Sequence, residues 1–182
     1  MKPWKTIKSK YILRNKFLAI RKDDCLMENG KIAKDYFVIE KFDYAMIAAF
    51  TKENRLIMVE QYRHPVGTIG IELPAGGLTH KNESIKLCAK RELLEETGYS
   101  IKSLKKIGEF HAASGLLNNK MHLFIGYNAI KTHEQNLDEN EQITPLLFSK
   151  QEVLKLLKQG KIKDASTVLT LNIIINNNLW NI

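Results

Sequence analysis

The chain has 182 residues, 28 Lys and Arg against 20 Asp and Glu for a formal charge of +8, and 44% hydrophobic residues. That balance fits one soluble globular domain, or one with a small appendage, able to bury roughly two thirds of its unfolded surface without disulfides or a structural metal. It excludes a disordered or fibrous chain, and no apolar run approaches the roughly 20 residues of a membrane helix. Met1-Lys2-Pro3-Trp4-Lys5 has no apolar stretch behind it, so no secretory signal is expected. Cys25 and Cys88 lack metal spacing and read as free thiols in a reducing, cytoplasmic setting. Lys2, Lys5, Lys8, Lys10, Arg14, Lys16, Arg21 and Lys22 form an acid-free early block. With no basic-aromatic motif beside it, this block reads as a solvated face rather than a nucleic-acid site.

In chain order, short strands are expected at 11–13, 17–20 and 36–39. Glu28-Asn29-Gly30-Lys31 is the hairpin turn between the second and third, because Asn-Gly accepts the positive φ of a tight turn. Strands at 44–50 and 55–60 flank the turn Lys52-Glu53-Asn54. After Glu72-Leu73-Pro74-Ala75-Gly76-Gly77 the period changes. Ile85, Cys88, Ala89 and Leu93 recur at helical spacing, with Ser84 as N-cap and Gly98 at the C-cap. Strands follow at 104–110 and 121–130, with a loop at 112–120, and a final short strand covers 146–148. Ser149 caps a helix through Leu157 that Gly160 ends, and 165–175 is the last helix. Without a βαβαβ alternation, the pattern predicts a layered α+β fold rather than a doubly wound sheet.

The chemistry concentrates on the helix at 85–97. Glu92, Glu95 and Glu96 stand at i, i+3 and i+4, so one face carries three carboxylates. Like charges at these spacings repel, and the helix dipole disfavours anions in a last turn. A cation between the carboxylates explains such an arrangement, and hard oxygen ligands suit Mg²⁺ or Mn²⁺. The plainer alternative is a solvated acidic face with Arg91 paired to Glu95. Elsewhere the signals are poor. His64, His80, His111, His122 and His133 show no zinc spacing, and Ser114-Gly115 lacks a nucleophile elbow. Cys88 reads as core and His80 as a solvent-exposed loop residue.

The segment Gly77, Glu83, Arg91, Glu92, Leu93, Glu95, Glu96, Gly98, Tyr99 resembles the Nudix box, G-x5-E-x7-R-E-U-x-E-E-x-G-U, departing only in Tyr99 where an aliphatic residue is usual. Glu60-Gln61-Tyr62-Arg63, Glu72-Leu73-Pro74-Ala75-Gly76, Leu137-Asp138-Glu139-Asn140-Glu141 and Gly160 to Thr167 are similar to the ADP-ribose pyrophosphatase branch of that family. The resemblance implies an α+β fold of Nudix type, an α/β/α sandwich with a mixed sheet. Residues 1–42 would form a small β-rich layer that dimerises, and residues 43–182 the hydrolase domain. It implies Mg²⁺-dependent hydrolysis (Mn²⁺ being the alternative) of the diphosphate in ADP-ribose or a related nucleoside diphosphate sugar, in a cytoplasmic homodimer.

By the same resemblance, the catalytic set is Glu92, Glu95, Glu96, Arg91 and Glu83. Metal ligands would be Glu92, Glu95, Glu96 and the carbonyl of Gly76, or of Ala75 in the alternative register. Glu83 and Arg91 would pair to hold the loop against the helix. Arg63 and Glu72 would hold the diphosphate and the base or ribose, while Phe17 and Tyr36 would stack on adenine or else pack in strands. Where the branch carries a Ser-Pro-Gly loop with an acid, this chain has Ser114 and Asn119. That leaves a GDP-sugar or a dinucleotide open as substrate, with Glu139 or Glu141 as the source of a further carboxylate. A non-catalytic nucleotide- or nucleic-acid-binding protein of the same fold is the reading from a different class.

Overall fold

The computed structural model describes residues 1–80 and 82–180, and the chain divides into two compact units. The first comprises Met1–Asp43 together with Phe110–Lys120. Its strands β1 (Lys5–Arg14), β2 (Ala19–Leu26) and β3 (Ile32–Glu40) form an antiparallel three-stranded sheet in that order. The Asn-Gly turn is formed as expected. Gly30 takes φ 79° and the Met27 N–H reaches the Lys31 carbonyl at 2.8 Å. The second strand starts later than 17. The Asn15 side chain accepts from the N–H groups of Phe17 and Leu18, which keeps both residues in the β1–β2 turn. Every residue of β1 is exposed, Trp4, Ile7, Tyr11, Ile12 and Leu13 lying on or beside it. The 112–120 loop fastens to this unit. Ile39 bonds the Leu116 carbonyl at 2.9 Å, Asn119 Nδ2 bonds the Phe42 carbonyl at 3.0 Å, and the Tyr36 hydroxyl donates to the Gly115 carbonyl.

The second unit, Tyr44–Glu109 with Met121–Ile182, holds a mixed eight-stranded sheet and three helices. Its strands are β4 (Tyr44–Thr51), β5 (Leu56–Arg63), β6 (Thr68–Glu72), β7 (Ala75–Gly77), β8 (Tyr99–Ser100), β9 (Lys105–Phe110), β10 (Met121–Lys131) and β11 (Ile143–Phe148). The path runs β11-β5-β4-β10-β8, with β6 on β5, β7 on β4 and β9 on β10. The β4–β10 pair is parallel, and the β10–β8, β11–β5, β4–β5, β4–β7 and β5–β6 pairs are antiparallel.

Strand β4 explains the layering. Side chains alternate across a strand. Ala45, Ile47 and Ala49 join Cys88, Ala89 and Leu93 of helix α1 (Ile85–Thr97) in one core cluster. Tyr44, Met46 and Phe50 turn the other way, toward α3 (Ala165–Asn176) and the residues after it. Tyr44 pairs with Ser166, the Thr170 hydroxyl bonds Met46, and Phe50 meets Trp180 edge-on at 5.0 Å. Two helical layers thus sandwich the strand within this unit. Helix α2 (Lys150–Lys158) opens on a reciprocal capping box between Ser149 and Glu152.

Pro74 interrupts the backbone between β6 and β7. It has no N–H for a ladder, and there the chain changes partner from β5 to β4. The Leu73 N–H is instead satisfied by the Thr167 hydroxyl at 3.1 Å.

Candidate active site

Helix α1 ends as its sequence predicts. Gly98 adopts φ 74° and bonds back to the Leu94 carbonyl at 2.8 Å. Beyond it, the 132–136 segment returns to cover the last turn, with Asn136 N–H on the Glu95 carbonyl and Gln135 on the Glu96 carbonyl. Glu92, Glu95 and Glu96 therefore project from a well-fixed turn.

Arg91 organises the acidic face. Its Nε reaches Glu83 at 2.9 Å, Nη1 reaches Glu92 at 2.7 Å and Glu95 at 2.9 Å, and Nη2 donates to the Gly77 carbonyl at 2.9 Å. The Arg91–Glu95 pair and the Arg91–Glu83 pair thus coexist. Thr79 adds two donors to Glu83. Burial pushes the Glu83 carboxyl up, but bonds from Arg91 and Thr79 outweigh it and hold the group below its ordinary range.

Glu92 and Glu96 behave in the opposite way. Burial, with help from Glu95 and Glu141 and against Arg91, pushes Glu92 up to about 7. Glu96 is only 4% exposed. Burial and the charges of Glu92 and Glu141 push it up to about 9, against the Ala75 N–H and Arg63. The loop carboxylate of Glu141, whose oxygen also accepts from the Asp138 N–H, thereby acts on both Glu92 and Glu96. Gly76 leaves room for Glu92, since a side chain there would collide with its carboxylate. Cys88 donates weakly to the Gly76 and Gly77 carbonyls, and burial holds its thiol protonated, at about 12.

As placed, Arg91 supplies positive charge to this face, and among the described residues no three His, Cys, Asp or Glu side chains close into a metal cage. The residues nevertheless fit a hard divalent ion. Glu96 Oε2 is buried without a hydrogen-bond partner, burial makes Glu92 and Glu96 resist ionisation, and the donors are oxygens.

Arg63 and Glu72, expected to grip substrate, grip each other, with Nη2 at 2.6 Å and Nε at 3.1 Å, and Gln61 adds a third donor to Glu72. That pair, opposed by burial and aided by Glu96 and Asp164, raises the Arg63 pKa above that of an ordinary arginine. Phe17, 70% exposed, and Tyr36 lie in the first unit. Neither is buried in strand packing. Ser114 is exposed and Asn119 buried, also in the first unit. His80 is exposed and Cys88 is core, as read. Thr79, Gln61 and the Ala75 N–H went unread. Thr79 falls in the free spacing of the box and Ala75 acts through its backbone, so only Gln61, inside a quoted motif, left a signal.

The model of the NUDIX domain matches residues 41–170, most of the chain. The protein belongs to the Nudix family. A second model, the nucleoside diphosphate sugar hydrolase N-terminal domain, matches residues 4–39 of this Nudix chain. Among similar proteins, the methanol dehydrogenase activator of Bacillus methanolicus is 34% identical over 91% of this chain and 89% of its own. The ADP-ribose pyrophosphatase of Bacillus subtilis is 34% identical over 90% and 88%. The GDP-mannose pyrophosphatase of Cronobacter sakazakii is 30% identical over 74% of each. A crystal structure of an ADP compounds hydrolase superposes with a TM-score of 0.81 at 17% identity, covering 97% of this chain and 94% of that one, a likeness of fold.

Proposed function

We propose that this Nudix protein hydrolyses the diphosphate linkage of ADP-ribose or a related nucleoside diphosphate sugar, giving a nucleoside monophosphate and a sugar phosphate. The single observation that carries the reading is the pair of glutamates, Glu96 buried with a partnerless oxygen and Glu92 half-buried, beside the Ala75–Gly76 backbone. The similar proteins named as ADP-ribose and GDP-mannose pyrophosphatases supply the substrate class.

Glu92, Glu95, Glu96 and the Gly76 carbonyl would hold Mg²⁺, or Mn²⁺. A divalent ion bound there neutralises diphosphate charge and lowers the pKa of a water. Glu83 and Arg91 fix the loop before the helix and orient Glu92 and Glu95. Arg63 contributes Nη1, which the Glu72 pair leaves unused, to the phosphate that is not attacked. Glu141 is the carboxylate that takes the proton from the attacking water. With ADP-ribose the products are AMP and ribose 5-phosphate.

The same reading makes the protein a cytoplasmic homodimer, with residues 1–42 as the dimerising layer and 43–182 as the hydrolase domain. The exposed apolar side chains of β1, with Ile32, Tyr36 and Phe37 of β3, supply the surface for self-association. Two free cysteines suit a reducing compartment, and no helix of the described residues is long and apolar enough to cross a membrane.

The test is phosphate release after a phosphomonoesterase, with Mg²⁺ and with EDTA, across ADP-ribose, GDP-mannose and dinucleotides. Metal-dependent turnover, greatest with a nucleotide sugar, is expected. Turnover that EDTA leaves untouched, or none on any compound, defeats the reading.

A further inference from the structure

A cavity of about 550 Å³ lies between the β5–β6 hairpin and the start of α3. Its charged wall consists of Arg63, Glu72, Lys163 and Asp164, and its apolar wall includes Val66 and Ile69, each 68% exposed. Arg63 belongs to this wall and also lies in the field of Glu96. Glu72 of the same wall lies three residues before Ala75, whose backbone N–H bonds Glu96, so the chain joins the cavity to the carboxylate cluster.

Its chemistry is selective. Two cations and two carboxylates cancel, so an entering phosphate or carboxylate would meet Glu72 and Asp164 as well as the bases. A neutral polyhydroxyl can donate to the acids and accept from Arg63 and Lys163. No aromatic side chain lines the cavity, which leaves a nucleobase without a stacking platform, while Val66 and Ile69 suit the carbon-bound hydrogens of a sugar ring. Asp164 is held rigidly. Its Oδ2 caps α3 by accepting from the Thr167 N–H at 2.6 Å.

Building on the reading of the site as a nucleotide-sugar diphosphatase, we infer that this cavity receives the glycosyl group and that Asp164 reads the sugar hydroxyls. Arg63 then stands between the diphosphate and the sugar, and anionic glycosyl groups are disfavoured by Glu72 and Asp164.

The test compares ADP-ribose with ADP methyl ester, in which a methyl replaces the sugar, on the full-length protein. Asp164→Ser keeps an N-cap hydroxyl for α3 but removes the second oxygen. Gly70→Val is a separate probe. Gly70 lines the cavity, its φ is ordinary, and a Cβ there meets only Glu72 Oε1 at 3.4 Å. In each variant the ratio of kcat/KM for ADP-ribose to that for the methyl ester is expected to fall about tenfold, through KM, the worth of one good hydrogen bond. An unchanged ratio, including an equal loss on both compounds, overturns the assignment while leaving the diphosphatase reading intact. Wild-type protein that hydrolyses neither compound defeats that reading first, and this one with it.

Discussion

Gly76 and Glu92 are matched in space: the carboxylate of Glu92 occupies the place that a Cβ on Gly76 would take. The obstructing group is the far end of a flexible side chain, so Gly76→Ala can be accommodated by swinging Glu92 aside. The variant is expected to keep its melting temperature nearly unchanged and lose about 100-fold in turnover, the scale of a 1 Å misplacement. Thermal melts with parallel kinetics check this, and a fully active Gly76→Ala protein would show that the position of Glu92 is immaterial.

The raised carboxyl of Glu96 links metal, pH and stability. Its ordinary value of 4.5 moves up to about 9 on folding. Below pH 4.5 the group is protonated folded or unfolded. Above it the unfolded chain ionises first, so stability falls as pH rises through the window from 4.5 to 9, at up to about 1.4 kcal/mol per unit. In EDTA the melting temperature should drop across that window, Mg²⁺ should restore more of it at higher pH, and Glu96→Gln should flatten the slope. A melting profile that rises with pH in EDTA would contradict the burial of an uncompensated Glu96.

Glu95→Gln and Glu96→Gln are each expected to cost at least about 100-fold in metal-dependent turnover while circular dichroism stays native. Full activity in either variant removes that residue from the site.

Arg91 donates to Glu83, Glu92, Glu95 and the Gly77 carbonyl in different directions, and Lys cannot copy that fork. Arg91→Lys should destabilise the metal-free protein by about 1–3 kcal/mol, measured by urea denaturation, and should weaken Mg²⁺ activation as well.

Glu141 raises both Glu92 and Glu96. Removing its charge in Glu141→Gln should bring both carboxyls down and move the acid limb of the Mg²⁺-activation profile to lower pH. If Glu141 is the base, kcat falls about 10² to 10⁴-fold in the same variant with little change in KM. A normal kcat leaves Glu141 with an electrostatic influence alone.

The long elements were legible because their signals are local. The period of Ile85, Cys88, Ala89 and Leu93, the Gly98 stop and the Asn29-Gly30 turn each reflect forces within a few residues. Strands β6, β7 and β8 were not foreseen. They are short, rich in glycine or beside Pro74, and exist only because β5, β4 and β10 offer them partners. The acidic face was read correctly as a face. That one arginine holds Glu83, Glu92 and Glu95 together depends on where the chain ahead of the helix places Glu83, which spacing does not encode. Likewise Arg63 and Glu72 meet through the β5–β6 register, where Gln61 opposes Gly70 and Arg63 opposes Thr68. The attachment of the 112–120 loop to the first unit through Ile39 and Phe42 had no local signal at all.

The wall of the second unit built by α3 leaves the ribosome after β4 and the acidic helix. Until Thr167 emerges, the Leu73 amide ahead of Pro74 has no acceptor; until Ser166 and Trp180 follow, one side of β4 lies bare at Tyr44 and Phe50. The nascent chain already carries its whole acidic helix and the β4 partner of the 75–77 strand. Synthesis from the N-terminus thus leaves the Leu73 amide and one side of β4 to be completed when α3 docks.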